Sequence, residues 1–287
     1  MEIAVISGKG GTGKSSIAAA FATINKNIVL ADCDVDAANQ YIIFQPEKRF
    51  EKPYISGFTA RIDYDKCISC GTCIDYCRFD AISLIDNKVL IDNVSCDGCK
   101  LCSRICPAEA IEMIQDDKSR LYAGAFRNGQ MVYGRLSPGE ENSGKLVDMV
   151  RDEAKNIQKE FGLNDIILDG PPGIGCPVIS TITGVDRIVI VTEPTLSGLH
   201  DLKRTLEMVQ KFRTRTFVII NKSDLNKLMT EQIEQYCNEK NIIVVGKIPF
   251  DSLFTEAMVE CLSIIEKAPN SPISLLIISS FNYIKSN

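Results

Sequence analysis

The chain has 287 residues, of which 45% are hydrophobic and 24% are charged, a globular composition that suits one large domain or two smaller ones. Its net charge of −5 argues against general nucleic-acid binding, which needs a basic face. No secretory signal is recognisable, and no apolar run approaches the roughly 20 residues of a membrane span, so we expect a cytoplasmic protein with no nucleic-acid partner and no stable membrane association.

The first motif is a glycine-rich run that follows an apolar segment. The predicted strand Ile3–Ile6 leads into this run, and a helix is predicted over Ser16–Ala22. A G-x-x-x-x-G-K-S sequence between a strand and a helix is the phosphate-binding P-loop. Lys14 is expected to reach the terminal phosphates, and the Ser15 hydroxyl is expected to bind Mg²⁺. The predicted phosphate cradle comprises Gly8, Gly10, Gly11, Thr12, Gly13, Lys14, Ser15 and Ser16.

Three acidic residues follow the next predicted strand, Asn27–Ala31. Asp32, Asp34 and Asp36 alternate along the segment after it. The carboxyl edge of a parallel sheet is where ligands bind, and a carboxylate there orients a water or holds Mg²⁺ through water. The alternative is a polar turn, but the neighbouring P-loop favours a functional role. Residues 45–60 then have the proline and glycine content of a linker or turn.

Eight of the twelve cysteines form an internal repeat between residues 67 and 106. The pattern Cys-x2-Cys-x2-Cys-x3-Cys recurs after a shift of 29 residues. Clustered cysteines in a reducing compartment indicate metal, and this spacing holds 4Fe-4S clusters in which the fourth cysteine of each run binds the other cluster. The predicted ligands are Cys67, Cys70, Cys73 and Cys106 for one cluster, and Cys96, Cys99, Cys102 and Cys77 for the other.

Zinc is the competing interpretation of these cysteines. Two four-cysteine zinc sites would use pairs of cysteines separated by a longer arm, rather than triplets with a trailing fourth residue. Pro107 follows Cys106, as expected for the iron–sulfur spacing, whereas Arg78 replaces the corresponding proline after Cys77. Arg78 either raises one reduction potential by its positive charge or has no effect.

The strand and helix pattern resumes after residue 117. A hairpin is predicted from Leu121–Phe126 and Met131–Leu136. An amphipathic helix follows, with Asn142 or Ser143 as its expected cap.

A further apolar strand, predicted to start at Asp165, ends in Asp169 and a glycine–proline turn. On a P-loop protein, an acid at this point holds Mg²⁺ through a water, and Gly173 is placed to pivot with the γ-phosphate. Cys176 follows closely and is expected to be a small buried residue. The alternative is a role for paired Cys176 thiols, in holding a cluster or in thiol chemistry, at a dimer seam.

The remaining chain completes the predicted sheet. Asn221 is expected to hydrogen-bond a purine edge, and the turn at Pro249 is expected to close over the base. The single histidine, His200, is interpreted as a helix-surface or interface residue, and residues 273–284 as a helix packed on the core. Three more strands are predicted at Arg187–Thr192, Thr216–Ile220 and Ile242–Val245.

The P-loop, together with Asp34, Asp169 and Asn221, resembles the deviant Walker A ATPases, the superfamily of MinD, ParA, the nitrogenase iron protein and the Mrp/ApbC iron–sulfur carriers. The cysteine repeat resembles bacterial-type two-cluster ferredoxins, and the whole chain resembles MinD-superfamily ATPases with an inserted ferredoxin domain. The resemblance implies that Lys9 reaches across a nucleotide-dependent homodimer to the partner's phosphates. It also implies that Asp34 positions the attacking water.

These observations predict an α/β fold, in which a P-loop, doubly wound, mostly parallel sheet carries an inserted α+β ferredoxin domain. The predicted boundaries are residues 1–58 and 117–287 for the ATPase domain and 59–116 for the insert. The expected cofactors are ATP or ADP, Mg²⁺ and two 4Fe-4S clusters.

Three functions follow from this combination. The first is an Mg-dependent ATPase that couples nucleotide state to electron transfer through the two clusters, toward an unknown redox acceptor. The second is an Mrp/ApbC-type factor that assembles or carries clusters for an apo-protein acceptor, although the chain lacks the Cys-x2-Cys that such carriers have in their C-terminal half. The third is a ParA-like positioning switch, which the acidic composition and the absence of a basic amphipathic tail disfavour.

Overall fold

The computed structural model describes residues 1–55, 57–138, 140 and 143–287. These residues divide into two compact units. The P-loop unit contains residues 1–51, 121–134 and 144–287, and the cysteine-rich unit contains residues 52–120 and 135–143. Asn142, one of the two predicted helix caps, lies outside the described residues.

The strands are β1 (Glu2–Ser7), β2 (Ile28–Asp32), β3 (Glu47–Tyr54), β4 (Phe58–Ile62), β5 (Ile82–Ile85), β6 (Lys88–Ile91), β7 (Ile111–Gln115), β8 (Ser119–Phe126), β9 (Gly129–Arg135), β10 (Asp165–Pro172), β11 (Arg187–Thr192), β12 (Arg215–Asn221) and β13 (Ile243–Ile248). The helices are α1 (Lys14–Ile24), α2 (Gln40–Phe44), α3 (Thr72–Asp75), α4 (Leu101–Ile105), α5 (Ser143–Phe161), α6 (Cys176–Ile182), α7 (Leu196–Val209), α8 (Lys227–Glu239), α9 (Leu253–Val259), α10 (Ile264–Lys267) and α11 (Pro272–Ser286).

Nine strands form one sheet, in the order β13-β12-β11-β1-β10-β2-β9-β8-β3. Neighbours from β13 to β9 pair in parallel. Parallel strands are buried on both faces, which explains why β1, β2 and β11 are continuous apolar runs. The order places β10 between β1 and β2, so Val5 lies beside Asp169 and Asp169 lies beside Asp32 in register. The P-loop and the two acidic strand ends therefore share one edge of the sheet.

Helices α1 and α11 cover part of this sheet. Phe21 of α1 packs against Phe281 of α11, with ring centroids 4.9 Å apart. Ile277 and Ile284, two helical turns apart, are also buried on α11. The predicted packing of the C-terminal helix on the core is confirmed.

The prediction of a linker or turn over residues 45–60 is wrong. Most of this stretch is β3, at the edge of the nine-stranded sheet, and the first residues of β4 follow it. An edge strand tolerates Pro53, which has no N–H to donate, and leaves charged side chains in water. Most residues of β3 are exposed and charged. The sequence therefore lacks the apolar pattern that would have indicated a strand.

The cysteine-rich unit repeats its backbone as well as its sequence. Strands β4 and β7 pair antiparallel, as do β5 and β6. The shift of 29 residues relates Ile62 to Ile91 and Ile82 to Ile111. In the structure, Ile62 pairs with Ile111 and Ile82 pairs with Ile91, so each strand pair contains one residue from each half of the repeat. Backbone turns with positive φ recur at the same shift, at Ser69 and Gly98, Gly71 and Lys100, and Asp80 and Glu109. The two halves are thus related by an approximate two-fold axis.

The core of this unit is small. Among the described residues, six buried side chains form it, including that of Cys73, and eight partly buried side chains, five of them repeat cysteines, pack against them. A core of this size rarely stabilises a domain by itself, and metal sites commonly supply the rest. Across the described residues of both units, no helix is both long and apolar enough to cross a bilayer.

Candidate functional site

The P-loop runs from the end of β1 into α1 and turns on two glycines with left-handed backbone. Gly11 has φ +80° and Gly13 has φ +88°. A side chain at Gly13 would lie 2.2 Å from Asn221 Nδ2, so only glycine fits there. The Thr12 side chain is buried, and among the described residues its Oγ1 has no hydrogen-bond partner. A buried hydroxyl without a partner inside an anion-binding loop is a feature that a bound phosphate would satisfy.

Lys14 lies among carboxylates at the start of α1. Its Nζ donates to Asp169 Oδ1 at 2.7 Å, and Asp34 Oδ2 is 3.7 Å away. Burial by itself would lower the pKa of Lys14, but the charges of Asp169 and Asp34 outweigh it and raise that pKa. Lys14 Nζ also lies 3.3 Å from Ser15 Oγ. The structure therefore brings together the predicted phosphate-binding lysine, the predicted magnesium ligand and the two predicted acids.

A third acid, Asp32, lies beneath this group and is fully buried. Its Oδ2 accepts hydrogen bonds from the backbone N–H groups of Asn39, at 2.9 Å, and Gln40, at 3.0 Å. Burial and the adjacent Asp169 raise the pKa of Asp32 to about 7. Burial likewise raises the pKa of Asp34, which is half-buried and closer to solvent. Asp32 therefore anchors the loop that carries Asp34.

Lys9 folds back on its own chain. Its Nζ lies 2.7 Å from Glu193 Oε1 and 2.8 Å from Ser197 Oγ. Glu193 Oε2 also accepts from Lys222 Nζ at 2.9 Å. Burial alone would raise the pKa of Glu193, but hydrogen bonds from the two lysines outweigh it and hold that pKa below its usual range.

Residues after β12 close the other side of the P-loop. Asn221 Nδ2 donates to the Thr12 carbonyl at 2.8 Å, and Lys222 Nζ donates to the Gly11 carbonyl at 2.9 Å. Asp224 Oδ1 accepts from the Phe250 N–H at 2.6 Å, which ties this loop to the turn after β13 that contains Pro249. Asn221 thus braces the phosphate loop, and Asp224 connects the segment that follows Asn221 to the turn that contains Pro249.

The eight repeat cysteines line two separate cavities in the cysteine-rich unit. Site I is a pocket whose lining includes Cys67, Cys70, Cys73 and Cys106. Site II is a pocket whose lining includes Cys96, Cys99, Cys102 and Cys77. Each cavity thus takes three cysteines from one half of the repeat and the fourth from the other half. The grouping matches the predicted ligand sets.

Each pocket has four cysteines in its lining. Within the described part of the chain, all of them are free thiols, and no three His, Cys, Asp or Glu side chains are placed to hold a single metal ion. Polar groups also contact the sulfurs at site I, where the Ala110 N–H donates to Cys106 Sγ at 3.4 Å and Thr72 Oγ1 lies 3.4 Å from Cys70 Sγ. Burial raises the pKa of Cys73 at site I and of Cys102 at site II.

Glycine is required at one turn of site II. Gly98 has φ +66°, and a side chain there would lie 2.1 Å from the Phe58 carbonyl oxygen. The next turn brings Lys100 Nζ within 3.8 Å of the Phe58 ring centroid. The site II loop is therefore seated on the first residue of β4.

Cys176 and His200 lie outside these sites. Cys176 is exposed, so the prediction that it is buried is wrong. It occupies the first turn of α6, whose buried residues are Val178, Thr181 and Ile182, and it therefore faces outward. His200 is exposed on α7, where the sequence placed it on a helix surface.

Three residues of the P-loop site were not singled out from the sequence. Gln40 contacts Asp169, Glu193 contacts Lys9, and Lys222 contacts the Gly11 carbonyl. Glu193 and Lys222 each follow a buried strand at the same edge of the sheet. A polar residue at that position is the sequence feature that indicates a binding-site residue. Gln40 begins a short apolar helix and offered no comparable signal.

Comparison with known proteins extends these observations. A family model described as the CobQ/CobB/MinD/ParA nucleotide binding domain matches residues 3–264. The uncharacterized protein MJ0578 of Methanocaldococcus jannaschii is 40% identical over 233 residues, which are 79% of this chain and 80% of that protein. The fold is similar to that of the septum site-determining protein MinD of Pyrococcus horikoshii, solved with Mg-ADP. That similarity has a TM-score of 0.59 and 16% identity, and it covers 99% of this chain and 95% of the other.

A second kind of match covers only a short segment of the chain. The indolepyruvate oxidoreductase subunit IorA of Methanothermobacter marburgensis is 40% identical over 58 residues, which are 20% of this chain and 9% of that protein. The match is therefore to one segment, as expected for a chain that combines two units.

Proposed function

The chain belongs to the CobQ/CobB/MinD/ParA nucleotide-binding family, and from that premise we propose that it is an Mg-dependent ATPase that couples its nucleotide state to electron transfer through two 4Fe-4S clusters. One observation carries the proposal: a P-loop site surrounded by carboxylates occurs in the same chain as two cavities that are each lined by four cysteines.

The nucleotide site has the groups that a magnesium–ATP complex needs. In the proposal, the P-loop N–H groups and Thr12 hold phosphate oxygens, and Lys14 leaves Asp169 to neutralise the terminal phosphates. Ser15 and Asp169 would hold Mg²⁺, which when bound would supply charge neutralisation to the phosphates. Asp34, 3.7 Å from Lys14 Nζ, orients the attacking water. Asn221 and Pro249 contact the base.

Lys9 has a conditional role in this proposal. Within one chain it pairs with Glu193, and to reach the phosphates of a second subunit it must leave that carboxylate. ATP would favour this exchange because its γ-phosphate is a stronger competing anion for the ammonium group. We therefore propose a nucleotide-dependent homodimer.

The donor sets of sites I and II suit iron–sulfur clusters. Four cysteines around one pocket, three from one run and the fourth from the other, suit a four-iron cluster, and triplets with a trailing fourth cysteine are not the spacing of a four-cysteine zinc site. The cysteine-rich insert matches 58 residues of the oxidoreductase subunit IorA, and this match supports a redox role for the segment predicted as the insert, 59–116. When bound, the clusters supply one-electron redox chemistry, and an external redox partner supplies and receives the electrons.

Anaerobic purification tests this proposal directly. About eight irons per chain, with equal sulfide, are expected from two 4Fe-4S clusters. A redox titration monitored by electron paramagnetic resonance, with and without Mg-ATP, is expected to show a nucleotide-dependent change in potential or in the rate of transfer to an acceptor dye. The variant K14A should keep the iron and lose the nucleotide effect. Zinc without iron would contradict the cluster assignment. Cluster potentials and electron-transfer rates that do not change with Mg-ATP would contradict the coupling of nucleotide state to electron transfer.

One observation favours the second candidate function, an assembly or carrier ATPase. Cys70 at site I and Cys99 at site II are exposed, so one ligand of each proposed cluster is accessible to solvent. An accessible ligand facilitates exchange with an apo-protein. Incubation with a chelator and a [4Fe-4S]-accepting apo-protein separates the candidates, because clusters that remain during redox cycling favour electron transfer, whereas clusters that pass to the acceptor favour assembly.

A further inference from the structure

A glutamine is buried within the carboxylate group of the P-loop site. Gln40, the first residue of α2, has no exposed surface. Its Nε2 donates to Asp169 Oδ2 at 2.6 Å and to the Ser15 carbonyl at 2.8 Å. Both hydrogens of the amide are therefore used, and this pattern fixes which end of the side chain is nitrogen. Gln40 joins the two residues that the proposed function assigns to Mg²⁺.

The other end of the same side chain has unsatisfied hydrogen-bonding capacity. Gln40 Oε1 is buried and has no hydrogen-bond partner among the described residues. A buried carbonyl oxygen without a donor is costly, and such atoms commonly face a water or a ligand. The oxygen accepts but cannot donate, so a suitable partner is an O–H or N–H group rather than a phosphate oxygen.

The backbone of Gln40 also belongs to the loop that carries Asp34. The N–H groups of Asn39 and Gln40 both donate to Asp32 Oδ2 and anchor the start of α2 at the end of β2. The Gln40 side chain then spans from this anchor to Ser15 at the start of α1 and to Asp169 within β10. One residue thus ties the segments after β1 and β2 to strand β10.

We propose that Gln40 is a positioning residue for hydrated Mg²⁺ in the nucleotide site. One amide hydrogen holds Asp169 through Oδ2, and this leaves Oδ1 to bind the metal's water once Lys14 has moved to the phosphates; the other hydrogen holds the Ser15 carbonyl. Its Oε1 accepts a hydrogen bond from a water bound to Mg²⁺, whose polarised O–H groups are strong donors. The inference rests on the proposed function, because it requires that magnesium and a nucleotide bind at the P-loop.

The experiment compares nucleotide binding with and without magnesium. A fluorescent ATP analogue is titrated into the anaerobically purified full chain, once in excess Mg²⁺ and once in EDTA. Q40L keeps the approximate volume of the side chain and removes both functions of the amide. Affinity in Mg²⁺ is expected to fall about tenfold, the effect typical of losing an outer hydrogen bond to a metal site, while affinity in EDTA stays within about twofold.

Q45L is the matched control, because Gln45 lies at the other end of the same short helix and is exposed. It should behave as wild type in both conditions. Q40E is the second variant: it keeps an acceptor oxygen but places a carboxylate beside Asp169. It should also lose affinity in Mg²⁺, and the magnesium concentration for half-maximal binding should rise. If Q40L does not fold, Q40E carries the comparison.

The outcomes are distinct. Selective loss in Mg²⁺ supports the inference. Equal loss in Mg²⁺ and EDTA shows that Gln40 shapes the P-loop alone, and no loss in either shows that it does not act on the site; each overturns the inference while nucleotide binding by the wild type stands. A wild-type chain that binds no nucleotide in either condition overturns the proposed function and the inference together.

Discussion

The carboxylate of Glu193 holds the ammonium group of Lys9 at 2.7 Å within a single chain. The same carboxylate binds Lys222, whose Nζ donates to the Gly11 carbonyl in the P-loop. Glu193 is therefore the common partner of two lysines, one that braces the phosphate loop and one that is proposed to act on a second subunit.

The variant E193Q tests whether this ion pair opposes dimer formation. Without the charge, Lys9 is easier to transfer to a partner's phosphates, and dimerisation with a non-hydrolysable ATP analogue should occur at roughly fivefold lower protein concentration, equivalent to about 1 kcal/mol. Sedimentation velocity across a dilution series measures this. K222M is the control, because it leaves the Lys9–Glu193 pair intact and should not tighten the dimer. An E193Q dimer that is no stronger than the wild-type dimer would contradict the proposal that Lys9 leaves Glu193 when the dimer forms.

Gly13 is predicted to be indispensable for nucleotide affinity. In G13A, the added methyl group would lie 2.2 Å from Asn221 Nδ2 at a residue with φ +88°, so the loop or Asn221 must move. Nucleotide affinity should fall at least about tenfold, or about 1.4 kcal/mol. G184A is the matched control, since Gly184 has φ +73° with no described atom near its added methyl group. It should cost stability and leave affinity unchanged, and similar affinities in the two variants would refute the steric argument.

The exchange of the fourth cysteine between sites I and II predicts a pattern of iron loss. C77S with C96S removes two ligands of site II alone and should leave about four irons per chain, whereas C77S with C67S damages both sites and should leave close to none. If each run of four bound its own cluster, the two results would be reversed. Iron and sulfide analysis distinguishes them, and C176S, at an exposed cysteine outside both sites, should retain about eight irons.

Glu266 is predicted to stabilise the P-loop unit in a pH-dependent way. It binds Arg127 Nη2 at 2.9 Å and caps α10 through the Ser263 N–H. Burial would raise the pKa of Glu266, but the hydrogen bonds from Arg127 and Ser263 outweigh it and lower that pKa below its ordinary 4.5. The stabilisation is present above pH 4.5 and disappears as the pH falls through the lowered pKa.

E266Q should therefore lower the free energy of unfolding by about 1–2 kcal/mol at neutral pH, and the difference from wild type should shrink under acid conditions. Urea unfolding at several pH values measures it. E260Q provides the comparison, because Glu260 pairs with Lys267 at a more exposed position and should have little effect. A difference for E266Q that stays constant down to low pH would contradict the role of its charge.

Much of the P-loop unit could be predicted from sequence, because its signals are local. The strand over Arg187–Thr192 was predicted to the residue, and membership in the MinD/ParA superfamily and the mostly parallel α/β fold are confirmed. Edge strand β3 was missed because charges and Pro53 masked it. Burial of Cys176 was predicted wrongly because helix orientation depends on tertiary packing.

The contacts that organise the site were not predictable in the same way. Gln40 meets Asp169 across 129 residues of sequence, and Lys9 meets Glu193 only because β1 and β11 are neighbours in the sheet. Such pairs have no periodicity or spacing that marks them. The cysteine repeat is the exception, because its long-range exchange is encoded in two short local patterns.

That exchange has a consequence for how the cysteine-rich unit can change over time. Because each cavity takes its fourth cysteine from the opposite half, neither copy of the 29-residue duplication is a complete module. Deleting, shortening or replacing one copy would leave two incomplete sites rather than one intact site. The two copies of the repeat must therefore be kept together. A chain with a single copy would need a second chain to complete either group of four cysteines.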